Sequence, residues 1–396
     1  MKIATAWTTV PNVEQAVQTA FDNLSASLDG PPNLLIVYPS VGYSINAVVS
    51  ALQNTAADIP VHGGTSCLGV MTADGFHSAD GVGLGMLGLA DPDGSYGVGA
   101  AEMGDDPRLA GRQAVEQAVQ NAGREGELPA LIWLTSAPGA EESVLRGIQD
   151  VVGESVPIAG GSSADNTVEG NWVQFTANSV HKNGVVVTVM YPSSGVHLAF
   201  HSGYWPTDHR GVATRAEGRT VYEIDGRPAA QVYNEWTGGV IQDFLSGGSI
   251  LGVTTLHPLG RIVGAIGGLP YHKLAHPERV TPEGALTLFA DVSTGDELVL
   301  MTGTRSSLVS RAGRVAQSAL ENGNISADRV AGALVVYCAG CMLTIQDRMN
   351  EVAAEINKVL AGAPFLGTFT FGEQGCFLGG ENRHGNLMIS VAVFEK

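Results

Sequence analysis

Charge is what this 396-residue chain has least of: 15% of its residues are Asp, Glu, Lys or Arg, against about 25% in an average soluble domain. Basic residues are the scarcer kind, 21 against 39 acidic, which gives a formal net charge of −18. Binding a phosphate backbone needs a basic face, so nucleic-acid binding is excluded as the main activity. The same acidic surface is repelled by anionic membranes. Four cysteines are too few for a disulfide framework in a chain of this length. No apolar run approaches the ~20 residues that span a bilayer, and the chain enters an apolar strand at Ile3 with no signal-like leader. The expectation is a cytoplasmic protein. Also absent are the G-x-S-x-G elbow, H-E-x-x-H and the P-loop, which removes the commonest hydrolytic and nucleotide-binding signatures.

Glycine is abundant, with 52 residues set mostly at turns between apolar runs. Those runs recur. The first copy opens at Ile3–Trp7 and continues with a helix whose apolar face is Val13, Ala16, Val17, Ala20, Phe21 and Leu24. A β-run at Leu34–Tyr38, a second helix through Ile45, Val48, Val49 and Leu52, and a closing strand at Val82–Leu89 complete it. The second copy repeats the order from Gly97, with its β-run at Leu131–Ser136 and its last strand at Val185–Met190. The third reads from Glu297–Met301 through Leu334–Cys338 to Leu387–Val393. A period of roughly 90–100 residues is too long for a solenoid. It predicts an α/β protein of three β-α-β-α-β-β repeats with mixed sheets. The segment at about 192–295 breaks the pattern and reads as an inserted linker.

Two stretches resemble a known family. One is Gly203-Tyr204-Trp205-Pro206 with Val212-Ala213-Thr214, Gly218, Tyr222–Ala229 and Tyr233. The other is Phe365–Glu373, with Asn386 heading the final strand. Together they are similar to the FIST sensor family, whose N- and C-terminal modules lie side by side. The resemblance divides the chain into an N-like module at 1–210 and a C-like module at 211–396. It implies an intracellular sensor of a small ligand, an amino-acid-like metabolite or haem with nitric oxide. Its signal would pass to a separate partner such as a histidine kinase. The family pattern carries Cys-x-x-Arg after the third β-run, where this chain has Cys338-Ala339-Gly340-Cys341.

Candidate site residues follow. Trp205 and Pro206 offer a flat apolar wall, Cys338 ends the third β-run, and Glu373 is an acid among aromatics and glycines that needs a partner if buried. These four are expected to converge between the modules. The matched Gly63-Gly64-Thr65-Ser66 and Gly160-Gly161-Ser162-Ser163 segments could cradle an anion on backbone N–H groups, or be Gly-permitted bends. Cys338 and Cys341 could be a redox dithiol or buried structural thiols. His77, His181 and His384, recurring before each repeat's last strand, suggest turn chemistry. His272 and His276 are flanked by Pro270 and Pro277, which disfavours a helix-mounted metal pair. His201 is the first choice for an axial haem ligand, against a hydrogen-bonded structural histidine. The rival to a sensor is a hydrolase-type enzyme using Cys338, Ser66 or Ser163 as nucleophile.

Overall fold

The computed structural model describes residues 1–28, 30–266, 269–377 and 379–396. The first repeat runs β1 (Lys2–Thr8), α1 (Val13–Ser27), β2 (Leu34–Pro39), α2 (Ile45–Thr55), β3 (Val61–Gly64), the hairpin β4 (Val70–Thr72) and β5 (Gly75–His77), and β6 (Leu84–Ala90). The second runs β7 (Ser95–Glu102), α3 (Pro107–Ala122), β8 (Leu131–Ser136), α4 (Glu141–Val152), β9 (Ile158–Ser162), the hairpin β10 (Gln174–Thr176) and β11 (Val180–His181), and β12 (Gly184–Tyr191).

The third repeat opens with β13 (Val196–Ser202). It is then interrupted by an insert: β14 (Trp205–Glu217), β15 (Thr220–Ile224), β16 (Arg227–Pro228), α5 (Ala229–Trp236), β17 (Gly248–Ser249), α6 (Leu251–Thr254), β18 (Leu259–Ile266), β19 (Leu269–Ala275), β20 (Pro277–Val280), β21 (Leu286–Leu288) and β22 (Glu297–Thr302). The repeat resumes at α7 (Arg305–Gly323), where Thr304 and Ser307 form a capping box. It continues through β23 (Val330–Cys338), α8 (Ala339–Thr344), α9 (Met349–Val359), β24 (Phe365–Thr370), the hairpin β25 (Glu373–Cys376) and β26 (Asn382–Gly385), and β27 (Met388–Glu395).

Each repeat builds four strands in the same order: β1-β6-β2-β3, β7-β12-β8-β9 and β13-β27-β23-β24. The β2/β3, β8/β9 and β23/β24 pairs are parallel and the rest antiparallel, so the sheets are mixed as the repeat pattern predicts. The β-runs are continuously apolar because both faces are covered. In β2, Leu35 and Val37 face α1 and α2, while Leu34, Ile36 and Tyr38 face a central core. Leu131 and Trp133 of the second repeat and Leu334 and Val336 of the third join that core. Helices therefore form the outside and three sheet faces meet in the middle.

Each sheet is completed by a neighbour's hairpin. β10 pairs with β3, β25 with β9, and β4 with β24, so the exchange runs in a closed circle. His77, His181 and His384 are accordingly strand residues of the exchanged hairpins and not turn residues, and His77 hydrogen-bonds Thr72 at 2.7 Å.

The third repeat departs from the sequence expectation at its first strand. Glu297–Met301 belongs to β22, which pairs with β14 and β18 inside the insert. The first-strand position against β27 is filled by β13, which ends at Ser202 and is separated from α7, starting at Arg305, by the whole insert. The insert thus lies within the third repeat and not between repeats. A module boundary at 210 falls inside β14. The insert has its own core of Ala213, Val221, Ile224, Tyr233, Leu286 and Leu298.

Candidate functional site: a cavity between the insert and the repeats

A cavity of about 530 Å³ lies where the insert folds back over the carboxyl ends of β23 and β24. Its walls are apolar: Trp172 and Phe371, packed edge to face at 5.9 Å, together with Leu251, Phe289 and Leu343. The polar lining consists of Thr255, His276, Cys338, Thr344, Thr370 and Asn386. No charged side chain is among its lining residues. Ligands favour the carboxyl ends of strands and the junctions between structural units.

Asn386 sets the polarity. Its Oδ1 accepts a hydrogen bond from the His276 backbone N–H at 3.3 Å, which fixes the amide plane. Its Nδ2 is buried and has no partner, leaving two donors for an acceptor in the cavity. His276 Nε2 meets the Thr254 hydroxyl at 3.0 Å, and burial pushes the imidazole down to about 3, so it is neutral at pH 7. Gly340 lies between Cys338 and His276: a Cβ there would make ordinary contacts with Cys338 Sγ and His276 Cε1, each at 3.7 Å.

Behind the cavity floor lies a second polar group. Glu373 is fully buried, accepting from the Thr370 hydroxyl at 2.9 Å and from the Met388 N–H at 2.9 Å. Burial pushes its carboxyl well above the usual carboxylate range. Cys338 and Cys341 stand one turn apart at the start of α8, and the Tyr204 hydroxyl reaches Cys341 Sγ at 3.5 Å. Arg311 is 1% exposed, donates to the Leu387 carbonyl at 2.9 Å, and has no carboxylate ion-pair partner among the described residues. Burial alone would raise the Cys341 thiol; the neighbouring Cys338 thiol and the Arg311 charge instead bring it down to about 6.

The sequence candidates separate on this geometry. Cys338 lines the cavity, and Glu373 sits one residue behind its wall through Thr370. Trp205 and Pro206 do not join them: both are exposed on β14, paired with Thr302 and Met301. Ser66 is buried between the Phe369 N–H, at 2.8 Å, and the Gly69 carbonyl. Ser163 is buried with an unpartnered hydroxyl and lines none of the described cavities. The Gly-Gly segments are strand backbone and not an anion cradle. The Thr65, Ser66, Ser162 and Ser163 N–H groups are spent on the carbonyls of Val173, Pro39, Gly372 and Ser136. Their glycines permit close approach, since a Cβ on Gly63 would lie 2.2 Å from the Phe175 ring.

Haem ligation by His201 does not fit. Its Nδ1 is held by the Tyr271 hydroxyl at 2.6 Å, and the cavity beside it measures about 160 Å³, far below a porphyrin. The residues that sequence reasoning missed, Trp172, Leu251, Phe289 and Leu343, come from four separated segments and carried no shared motif. Asn386 had a signal, its place at the head of the last strand.

A charged knot clamps the insert down beside this cavity. Arg219 bonds Glu141 at 2.6 Å and Glu142 at 2.8 Å, and Lys273 lies 3.7 Å from Glu142. Burial opposes ionisation of Glu142, but the charges of His384, Arg219 and Lys273 hold its carboxyl down to about 2. Glu141, Glu142 and His384 could together offer metal ligands. The Arg219 guanidinium already occupies both carboxylates, so a cation would have to displace it.

A 90-residue stretch is 39% identical to an uncharacterized protein of Methanocaldococcus jannaschii, covering 22% of this chain and 18% of that protein. The chain thus spans about a fifth of the length of that relative. Among solved structures, a cyanuric acid hydrolase from A. caulinodans aligns over 100% of this chain and 99% of its own, with a TM-score of 0.40 and 10% identity. A second cyanuric acid hydrolase structure aligns with a TM-score of 0.34, also at 10% identity, over 99% of each chain. Residues 33–227 match the FIST N domain and residues 229–376 the FIST C domain, the boundary falling inside the insert. The protein therefore carries the FIST N and FIST C domains in tandem.

Proposed function

We propose that this protein is a sensor that binds a small neutral molecule in the cavity between the insert and the repeats and reports on it to a separate protein. The observation that carries the reading is Asn386: a buried, unpartnered amide donor held at the wall of an otherwise apolar cavity of about 530 Å³. Such a donor costs free energy until an acceptor meets it. A carbonyl or ether oxygen on a largely apolar molecule satisfies it. An amino-acid zwitterion fits less well, because no lining side chain supplies a counter-charge. Haem fits less well again, for the reasons given at His201.

His276 cannot be the base of the hydrolytic alternative. His276 flanks Cys338 across Gly340, but its Nε2 is engaged by Thr254 and its imidazole is held neutral by burial at a pKa too low to take a thiol proton at pH 7. Signal output then rests on the insert, whose α6 and β19–β21 region roofs the cavity. A ligand that favours one seating of the insert shifts partner affinity by a coupling of ~1–3 kcal/mol. The test is native mass spectrometry and thermal-shift screening of neutral metabolites against wild type and Asn386→Leu. A ligand that stabilises wild type and not the variant supports the reading. Steady turnover of a bound compound, lost in Cys338→Ala, overturns it in favour of the enzyme.

A further inference from the structure

The Cys338–Cys341 pair has features that ligand binding does not require. The two thiols sit one turn apart at the start of α8, Cys338 at its N-cap and Cys341 within its first turn. Cys338 Sγ faces the cavity, and the cavity reaches solvent beside Leu343 and Val168, which are 43% and 40% exposed. Cys341 is fully buried beneath it, in contact with the Tyr204 hydroxyl. Arg311 is buried in the same cluster, its guanidinium 5.5 Å over the Tyr204 ring and 5.0 Å over Tyr337. Its Nε and Nη2 have no hydrogen-bond partner. A guanidinium stays charged when buried, and its charge favours the thiolate of the neighbouring Cys341.

We propose that Cys338 and Cys341 are an oxidant-sensing dithiol, closed to an intramolecular disulfide by small hydroperoxides that enter the cavity. The chemistry balances without a further co-reactant. The pair carries one proton between two sulfurs, with the negative charge on Cys341. Passing the Cys338 proton to Cys341 frees the cavity-facing sulfur to attack the terminal peroxide oxygen. The S–O bond forms, the O–O bond breaks, and the leaving alkoxide takes the proton now on Cys341. The Cys341 thiolate then attacks Cys338 Sγ, forming S–S and expelling hydroxide, which solvent protonates. The peroxide is reduced by two electrons and the two sulfurs are oxidised by two. Cys67 is buried away from the cavity lining, and Cys376 lies by the small cavity next to His201, so neither stands where it could resolve the intermediate.

The inference does not depend on the sensor reading, since it needs only the cavity and the thiols. The test treats reduced full-length protein with one equivalent of hydrogen peroxide or cumene hydroperoxide, followed by intact mass and peptide mapping. The expected result is a loss of two hydrogens, with Cys338 linked to Cys341 and reversal by dithiothreitol. In Cys341→Ser, the reaction should stop at a sulfenic acid on Cys338, trapped by a dimedone probe. The double variant Cys67→Ser/Cys376→Ser should still form the disulfide, which keeps the test open if Cys341→Ser fails to fold. Oxidation confined to Cys376, or no mass change in wild type, overturns the proposal.

Discussion

The guanidinium of Arg311 lies over the ring of Tyr204, 5.5 Å from its centroid, and joins the two ends of the insert. Tyr204 follows the outgoing crossing at Gly203, where a Cβ would sit 2.2 Å from Arg311 Cδ. The returning crossing at Gly303 packs on the same ring, with a Cβ there 2.7 Å from Tyr204 Cε1. Arg311 is therefore both the counter-charge of the thiol pair and part of the insert's root.

A pH dependence follows from that counter-charge. The Cys341 thiol drops from an ordinary 9.0 to about 6 in the folded state, so the folded chain binds fewer protons than the unfolded one between those values. Stability should rise with pH through the window from 6 to 8, below the point at which Lys273, lowered to about 8, begins to contribute. Urea midpoints measured across that window should climb more steeply in wild type than in Cys341→Ser, where the buried histidines alone keep part of the slope below pH 7.

A second window belongs to buried histidines. His62 is held between Thr188 and Thr135, each at 2.8 Å, and burial lowers it to about 3; His276 is lowered equally, and His77 to about 4. Stability should fall as pH drops from 6.5, by up to about 1.4 kcal/mol per pH unit for each group that titrates only in the unfolded chain. His62→Gln should flatten the slope between pH 6.5 and 4.5, above the range where carboxylates dominate. An unchanged slope would remove His62 from the account.

The knot beneath the insert should be costly to break on one side. Arg219→Met leaves Glu141, which is 1% exposed, without its cation, and should cost roughly 3–5 kcal/mol in denaturant unfolding. Arg219→Met with Glu141→Gln should recover part of that loss. Equal losses in the single and double variants would show that the pair is not coupled.

Much of the fold was legible because both faces of every central strand are buried. Leu34–Tyr38, Leu131–Ser136 and Leu334–Cys338 announce themselves as strands for that reason. The first strand of the third repeat was not, because β22 stands directly before α7 in sequence while β13 stands beside β27 in space. An insert severs the local order on which periodicity depends. At the site, Cys338 was legible as a strand end. Trp205 was misleading, because an aromatic on an exposed strand reads like one in a wall. The Gly-Gly pairs were ambiguous for a simple reason: close packing and anion cradling select the same residue.

Close packing at the exchanged hairpins gives a further test. Gly63→Ala places a Cβ into the Phe175 ring contributed by the second repeat, and Gly375→Ala places one 2.3 Å from the Phe200 ring. Each should destabilise the protein by about 1–3 kcal/mol. Gly218→Ala, where a Cβ meets nothing but φ is +54°, separates backbone strain from this clash. Thermal unfolding of the three variants makes the comparison.

The circular exchange of hairpins also sets a schedule for synthesis. β4 needs β24, which begins at Phe365, about three quarters of the chain length beyond Thr72. At about 5–20 residues per second, the first hairpin leaves the ribosome roughly fifteen seconds to a minute before its partner exists. During that interval Val70 and Met71, fully buried in the finished protein, have no sheet to join. A nascent chain of this architecture is thus an early and prolonged client for whatever shields unpaired strands, and a truncation that ends before β24 leaves the first repeat open as well as the third.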